Sequence, residues 1–221
     1  MKFLLTSGAT REPIDSVRFI TNVSSGKTGV KLAQTLEKRG HEVWLLRGTG
    51  SEKPQGNIKS AAFNDFAGLN ELLMKTLGEE RFDVVIHLAA VSDFSVESVK
   101  VGEEVHTGHL PGKLDSGQGV EIRLKRNFKI VDRLKLYNKT SSQIKVVAFK
   151  LTSGASTEDR LRAVAKLYES RQVDLVVHND LDEIHSDKHL FRIVSREGKI
   201  QEYSSTENLA EGLVRTIGGK P

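Results

Sequence analysis

Three groups of residues have types and spacings suited to chemistry on a phosphorylated ligand. The first runs from Thr6 to Gly29, TSGATREPIDSVRFITNVSSGKTG, directly behind the apolar run Phe3-Leu4-Leu5. A short buried strand followed by a loop rich in Gly, Ser and Thr presents backbone N–H groups to phosphates. Gly8, Thr10, Ser25, Gly26 and Lys27 are therefore candidate nucleotide contacts. The loop is longer than a dinucleotide cradle needs, and the excess carries Arg18 and Asn22. The second group is the strand end His87-Leu88-Ala89-Ala90-Val91-Ser92-Asp93-Phe94. Small residues at Ala89 and Ala90 let a ligand approach the backbone, and Asp93 is suited to a ribose hydroxyl, an amine or a magnesium ion. Ordinary strand-end packing, with Asp93 as a helix N-cap, accounts for the same residues without a ligand. The third is a charge excess. Residues 113–150 hold ten Lys/Arg against three Asp/Glu, a local +7 in a chain of net +4. Such a segment suits an anionic ligand, although a solvated helix face and strand edge would carry it equally well. Aromatic residues are few, so nucleic acid is not an expected partner.

The elements that must position these groups alternate. Lys2–Ser7 reads as a strand, Gly26–Arg39 as a helix, and His41–Arg47 as a second strand after the stop at Gly40. Asp65–Leu77 is helical by the spacing of Phe66, Leu69, Leu72, Leu73 and Leu77, and Asp83–Ala89 is a continuous apolar strand. Ile144–Phe149 and Val173–Val177 look alike, with helical Asp159–Arg171 between them. Continuous rather than alternating apolar strands imply burial on both faces. The expected fold class is therefore α/β: a doubly wound, mostly parallel Rossmann-like sheet with helices on both faces. Arg196-Glu197-Gly198, flanked by Leu190–Ser195 and Lys199–Tyr203, signals a C-terminal β-hairpin, and Ser205–Ile217 a closing helix. Ser95–Gly119 is polar and glycine-dotted without period, and is expected to be a flexible lid loop.

At 221 residues and 38% apolar composition, the chain is expected to form one domain over 1–221 with a proper core. The absence of cysteine rules out disulfides and thiolate metal sites and suggests a reducing cytoplasm. No stretch approaches the roughly 20 apolar residues of a membrane span, so no membrane partner is expected.

Ser7-Gly8-Ala9-Thr10 together with His87-Leu88-Ala89-Ala90 resembles the extended short-chain dehydrogenases that bind NAD(P). Two requirements of that family fail. No glycine follows Gly8 until Gly26, and no Tyr-x-x-x-Lys exists: Tyr137, Tyr168 and Tyr203 are followed four residues on by Ser141, Gln172 and Glu207. Without a tyrosine acid tuned by lysine, hydride chemistry has no proton donor.

A second resemblance covers nearly the whole chain. Gly8-Ala9-Thr10-Arg11-Glu12-Pro13-Ile14-Asp15, Arg18-Phe19-Ile20-Thr21-Asn22, Ser24-Ser25-Gly26-Lys27, Ala89-Ala90-Val91-Ser92-Asp93-Phe94 and Val146-Val147-Ala148-Phe149-Lys150-Leu151, the last leading to Asn179-Asp180-Leu181, occur in the order found in phosphopantothenoylcysteine synthetase. The resemblance implies a ligase joining L-cysteine to 4′-phosphopantothenate in coenzyme A synthesis. A nucleoside triphosphate, CTP or ATP with CTP favoured, is cleaved with Mg2+ through an acyl-nucleotidylate. It implies that Asn22 binds phosphopantothenate and supports the second half-reaction, and that Arg18 crosses to the neighbouring site of a homodimer. Ala89, Ala90 and Asp93 become substrate and nucleotide contacts, and Lys113 a lid lysine closing on the triphosphate. Phe128, Lys129, Ile130, Val131 and Phe149 lie near base and ribose, with Lys166 and Arg171 as further basic contacts. No dedicated protein metal site is implied, since phosphate and water would fill most of the magnesium shell.

The chain departs from the family pattern at Ala9, where a second glycine is usual, in a lid reduced to Gly112-Lys113-Leu114-Asp115-Ser116, and at His178. His178 stands at a strand end, where it would either touch the nucleotide or pack. His106 and His109 in the lid read as solvated rather than metal-ligating. The chain is expected to act without the flavin-dependent decarboxylase often fused to such domains. The alternative reading is a non-catalytic nucleotide-binding relative of the same fold.

Overall fold

The computed structural model describes residues 1–221 except 116, 141–142, 185–188 and 219–221. The chain opens with β1 (Lys2–Ser7), a small hairpin of β2 (Arg11–Pro13) and β3 (Phe19–Thr21), and α1 (Lys27–Lys38). It continues through β4 (Glu42–Gly48), β5 (Lys59–Phe63), α2 (Phe66–Glu79) and β6 (Val84–His87). Next come β7 (Phe94–Val101), β8 (Glu104–Thr107), β9 (Val120–Arg126) and the short α3 (Leu134–Tyr137). The last third holds β10 (Lys145–Thr152), α4 (Thr157–Glu169), β11 (Leu175–Asp180), β12 (Phe191–Val194), β13 (Ile200–Tyr203) and α5 (Thr206–Ile217).

The main sheet has the order β13-β12-β11-β10-β6-β1-β4-β5. Its six strands from β5 to β11 are parallel, and β12 and β13 add an antiparallel hairpin. Counted along the chain, the parallel strands follow the 3-2-1-4-5-6 winding of a Rossmann-like fold, whose direction reverses between β1 and β6. Ligands bind at the carboxyl ends flanking that reversal because helices lead away from it on both faces, leaving a crevice. The two faces bury separate cores. Leu5, Leu36, Val43, Ile86 and Leu213 pack beneath α1 and α5, while Leu4, Leu69, Leu73, Val85 and Val146 pack beneath α2 and α4. Consecutive residues of β1 serve opposite cores, which is why the strand reads as an unbroken apolar run.

Ser95–Gly119 departs from the expected lid loop. Most of its first half is β7 and β8, which join β9 in a separate antiparallel sheet of order β8-β7-β9. The register slips between Val96 and Ser98, so Glu97 is an extra residue in β7. A bulge breaks period-two alternation. Val96 and Val99 therefore face the same small core three residues apart, with Leu110, and the strand signal vanishes from the sequence. The hairpin β2–β3 inside the first loop and the half-exposed β5 were likewise not expected from pattern.

Candidate functional site

The reversal point is zipped shut by backbone. Ala9 and Ala90 form a parallel bridge, Ala90 N–H donates to Gly8 O at 2.8 Å, and Thr10 N–H to Ala90 O at 3.3 Å. Buried Thr10 also accepts Ser92 N–H on its hydroxyl at 2.9 Å. The first turn and the Ala89–Asp93 strand end are thus one structure, lying across β1 and β6. Asn22 reaches over this seam: its Nδ2 donates to Val91 O at 3.4 Å, while the side chain stays exposed. Its carboxamide oxygen faces no protein donor among the described residues. Gly26 has φ +77°, a conformation that L side chains rarely adopt, and it caps α1 with no side-chain hydrogen bond. The positive end of α1 therefore opens onto the same loop as Ser25 and Lys27.

A buried carboxylate that had no assigned role organises the rest. Asp15 accepts N–H bonds from Val17 (2.7 Å), Arg18 (2.6 Å) and Leu114 (2.9 Å), and a guanidinium bond from Arg18 Nη1 at 2.6 Å. Burial alone would raise its pKa, but these donors hold the carboxyl well below the usual carboxylate range. The 110–114 segment is further pinned by Leu110 N–H to Ile14 O at 2.9 Å and by Arg18 Nη1 to Leu114 O at 3.3 Å. Exposed Lys113 is therefore carried on a strap fastened to the first loop. The sequence signal was available: an Asp bonding the N–H groups two and three residues on is a common turn device.

Glu12 does the corresponding work beneath the small sheet. Buried, it accepts Phe66 N–H at the start of α2 (2.9 Å) and the Ser95 hydroxyl (2.6 Å). Asn127 closes the sheet's base, its N–H bonding Asp93 O at 2.8 Å and its Nδ2 bonding Ser92 O at 3.1 Å. Asp93 is not a helix N-cap; its carboxylate pairs with Lys129. Phe128 lies edge-on to Phe66 with rings 4.9 Å apart, and Arg133 stacks over it at 3.4 Å. Ile130 and Val131 are buried in the core, so only their backbone can meet a ligand. Phe149 packs on the opposite sheet face from Phe128.

Two expected residues are not brought to this edge. Lys166 is exposed in the third turn of α4, about 14 Å along the axis from the helix start. Arg171 precedes β11 and lines a cavity with Lys145 and Leu175 at the amino ends of the strands. The remaining expected residues cluster at the carboxyl ends. His178 is packed rather than open: its Nε2 lies 2.9 Å from Thr152 Oγ1, and burial foremost lowers its pKa. Thr152 also donates to Asp180 at 2.5 Å, and that carboxyl, held by hydroxyl and backbone donors against the cost of burial, is depressed to about 2. His106 sits 3.4 Å from Glu104, and no group of three or more metal-ligating side chains exists among the described residues.

Beneath the seam, His87 Nδ1 lies 2.8 Å from the Thr6 hydroxyl, whose oxygen accepts Ala89 N–H at 3.1 Å. Burial drives His87 from 6.5 down to about 4. Within that window the unfolded chain binds a proton that the folded chain refuses, so stability falls as pH is lowered, by about 3 kcal/mol for this group. His41, His178 and His189 shift in the same direction. His87→Gln should accordingly flatten part of the stability loss in urea unfolding followed from about pH 7 to about pH 4.5. An unchanged slope would exclude His87 as a contributor. Close packing at the seam gives a second prediction. A Cβ on Gly48 would fall on Ala9 O and 2.9 Å from Ala9 N, both backbone atoms. Gly48→Ala should cost about 1–3 kcal/mol, read as a lowered thermal midpoint, and weaken anion binding by moving the first turn.

The sheet order and the crevice at its reversal define a Rossmann-like α/β class of protein. Residues 1–219 match the DNA/pantothenate metabolism flavoprotein C-terminal domain, and the chain belongs to that family. It is 36% identical over 196 residues to the coenzyme A biosynthesis bifunctional protein CoaBC of Thermococcus kodakarensis, covering 89% of this chain and 45% of that protein. It is 31% identical to the protein of the same name from Methanocaldococcus jannaschii, covering 86% and 42%. The chain thus spans about half the length of the curated relatives it matches. Among solved structures, the DNA/pantothenate metabolism flavoprotein of Streptococcus pneumoniae superposes with TM-score 0.84 at 28% identity, over 98% of both chains. Among the described residues, no helix is long and apolar enough to cross a membrane.

Proposed function

We propose that this chain is a phosphopantothenate–cysteine ligase that uses a nucleoside triphosphate, CTP in preference to ATP. The CoaBC relatives are named for coenzyme A biosynthesis, which agrees with this reading. The observation that carries it is Asn22 held against Val91 O at the sheet reversal, beside both the open helix end and the Ala89–Asp93 strand end. In the first half-reaction a carboxylate oxygen of phosphopantothenate attacks the α-phosphorus, and the bond to pyrophosphate breaks. In the second, the amine of cysteine attacks the acyl carbon, nucleoside monophosphate leaves, and the amine loses its proton. The Asn22 amide N–H groups are suited to the acyl oxygen as it gains charge, because a neutral donor stabilises an oxyanion without introducing a base.

Lys113, on its Asp15-tethered strap, supplies positive charge for the triphosphate, and Lys129 neutralises Asp93 until a ligand displaces it. Magnesium enters as part of the nucleotide substrate, with phosphate and water as most of its ligands. A second copy of the chain completes the site, with Arg18 crossing to it. That reading is supported by the apolar residues flanking Arg18 at the surface, Val17 at 61% and Val23 at 100% exposure, and by half-exposed Phe19 and Ile20.

Pyrophosphate release is the test, measured with magnesium, 4′-phosphopantothenate and cysteine in parallel wells of CTP and ATP. Release that requires phosphopantothenate and is faster with CTP is expected. Silence in both wells from folded protein would overturn the ligase reading in favour of a nucleotide-binding relative without activity.

A further inference from the structure

Three of the four buried side-chain polar atoms that lack a hydrogen-bond partner among the described residues gather at one place: Ser7 Oγ, Arg47 Nε and Ser51 Oγ. Buried donors are nearly always satisfied, so a cluster of unsatisfied ones points to a missing partner. Ser7 ends β1 and is 1% exposed. Arg47 is its register partner on β4, so both side chains leave the sheet on the face that α1 covers. Ser7 Oγ lies beneath the first turn of that helix, 3.1 Å from where a Cβ on Gly29 would stand. Ser51 arrives from the loop after β4. Its Cβ would meet a Cβ on Gly8 at 2.8 Å and one on Gly26 at 3.0 Å, so two bare glycines make room for it. The loop is locked there by Ser51 N–H to Gly48 O at 3.0 Å and Glu52 N–H to Ser25 O at 2.9 Å.

Two sources of positive potential meet at this point. α1 begins behind Gly26, which has no capping side chain; Ser25 Oγ reaches only the Lys27 N–H, at 3.5 Å, and no acidic residue stands in the first turn. Arg47 enters no ion pair among the described residues. A guanidinium, two hydroxyls and free helix N–H groups together match a tetrahedral dianion, which accepts several hydrogen bonds at once.

We propose that Ser7, Arg47 and Ser51, with the N-terminus of α1, form a phosphate-binding cradle in which Arg47 and Ser51 are ligand contacts. Two phosphates could fill it: the monoester of phosphopantothenate or the polyphosphate of the nucleotide. The cradle stands on geometry alone, whereas the choice between those occupants rests on the ligase reading. Strand order favours the monoester. Along β10-β6-β1-β4 come Phe149, then Asn22 over the β6–β1 seam, then Arg47, about 14 Å in all. An acyl-nucleotidylate laid along this edge, with its base at β10 and its acyl group at Asn22, would end in its phosphate at Arg47.

Calorimetric titration of pyrophosphate, phosphopantothenate and CTP into the wild type, Arg47→Gln and Ser51→Ala tests this. Arg47→Gln should weaken pyrophosphate binding about tenfold to a hundredfold, and Ser51→Ala less, with thermal midpoints retained. With pyrophosphate weakened, a parallel loss for phosphopantothenate but not CTP assigns the monoester, and a parallel loss for CTP but not phosphopantothenate assigns the polyphosphate. Pyrophosphate that fails to bind wild type, or binds both variants as it binds wild type, overturns the cradle. Ser51→Ala, in a surface loop, keeps the test decisive if Arg47→Gln misfolds. A protein that binds pyrophosphate through Arg47 yet releases none from CTP or ATP would sink the ligase reading and leave the cradle standing.

Discussion

Asn22→Ala is expected to cut ligation by about a hundredfold to a thousandfold while leaving nucleotide affinity almost unchanged. The asymmetry follows from position. Asn22 is exposed and its one side-chain hydrogen bond among the described residues, to Val91 O, is long at 3.4 Å, so little folding energy is at stake. What disappears is a donor aimed at an oxygen that becomes strongly basic only in the transition state. Single-turnover measurement separates the two halves. Pyrophosphate should still appear in a burst, because the phosphoryl step does not use the amide, while attack by cysteine stalls. Asn22→Asp should be at least as damaging, since a carboxylate would repel the developing oxyanion. A mutant that ligates at the wild-type rate would remove Asn22 from the chemistry and leave it a turn residue.

Asp15→Ala should produce the second large effect, through a different route. Removing this buried carboxylate leaves the N–H groups of Val17, Arg18 and Leu114 without their acceptor and frees the Arg18 guanidinium. The strap carrying Lys113 would come loose, so the KM for nucleotide should rise about tenfold or more, with a smaller change in kcat. Limited proteolysis gives an independent readout: cleavage within 110–118 should accelerate in the variant and slow again on adding nucleotide. Asp15→Asn, which retains a carbonyl acceptor for some of these N–H groups, should fall between. The folded carboxyl is depressed, so its stabilising effect is present above its ordinary value of 3.8 and is lost as acid is added below it. Equal protease sensitivity of wild type and Asp15→Ala would show that the strap is held elsewhere.

The parallel core was legible because every strand buried on both faces writes itself as an uninterrupted apolar run. β1, β6, β10 and β11 do so, and the helices between them carry clean amphipathic spacing. The first loop was legible as a place, through Gly8, Gly26 and the residues between them, but not as a shape. The hairpin β2–β3 is three residues a side, too short for a pattern. The small sheet was hidden by a single inserted residue at Glu97, which put Val96 and Val99 out of phase. Asp15 shows in the sequence only its local turn through Val17 and Arg18; its tie to the strap, like the role of Glu12, comes from donors distant in sequence, Leu114 and Phe66. The same holds for Arg47, an ordinary charge at a strand end until Ser7 and Ser51 come to lie beside it. His178 sat at the strand end with two readings open, and its bond to Thr152 decided for packing.

The two ends of the segment carrying β7, β8 and β9 meet: Asn127 N–H touches Asp93 O at 2.8 Å. The excursion therefore leaves the parallel sheet and returns to it through a doorway no wider than one hydrogen bond. A detour with coincident ends can be lengthened, shortened or exchanged without rethreading β6 or β10, and the cost of changing its length grows only slowly. The main sheet thus keeps its order whatever the length of the appended one, while Glu12, Ile14 and Asp15 tie the two together through Ser95, Leu110 and Leu114. Variation among relatives should collect at the far turn around Gly102 and leave the doorway residues Asp93 and Asn127 in place.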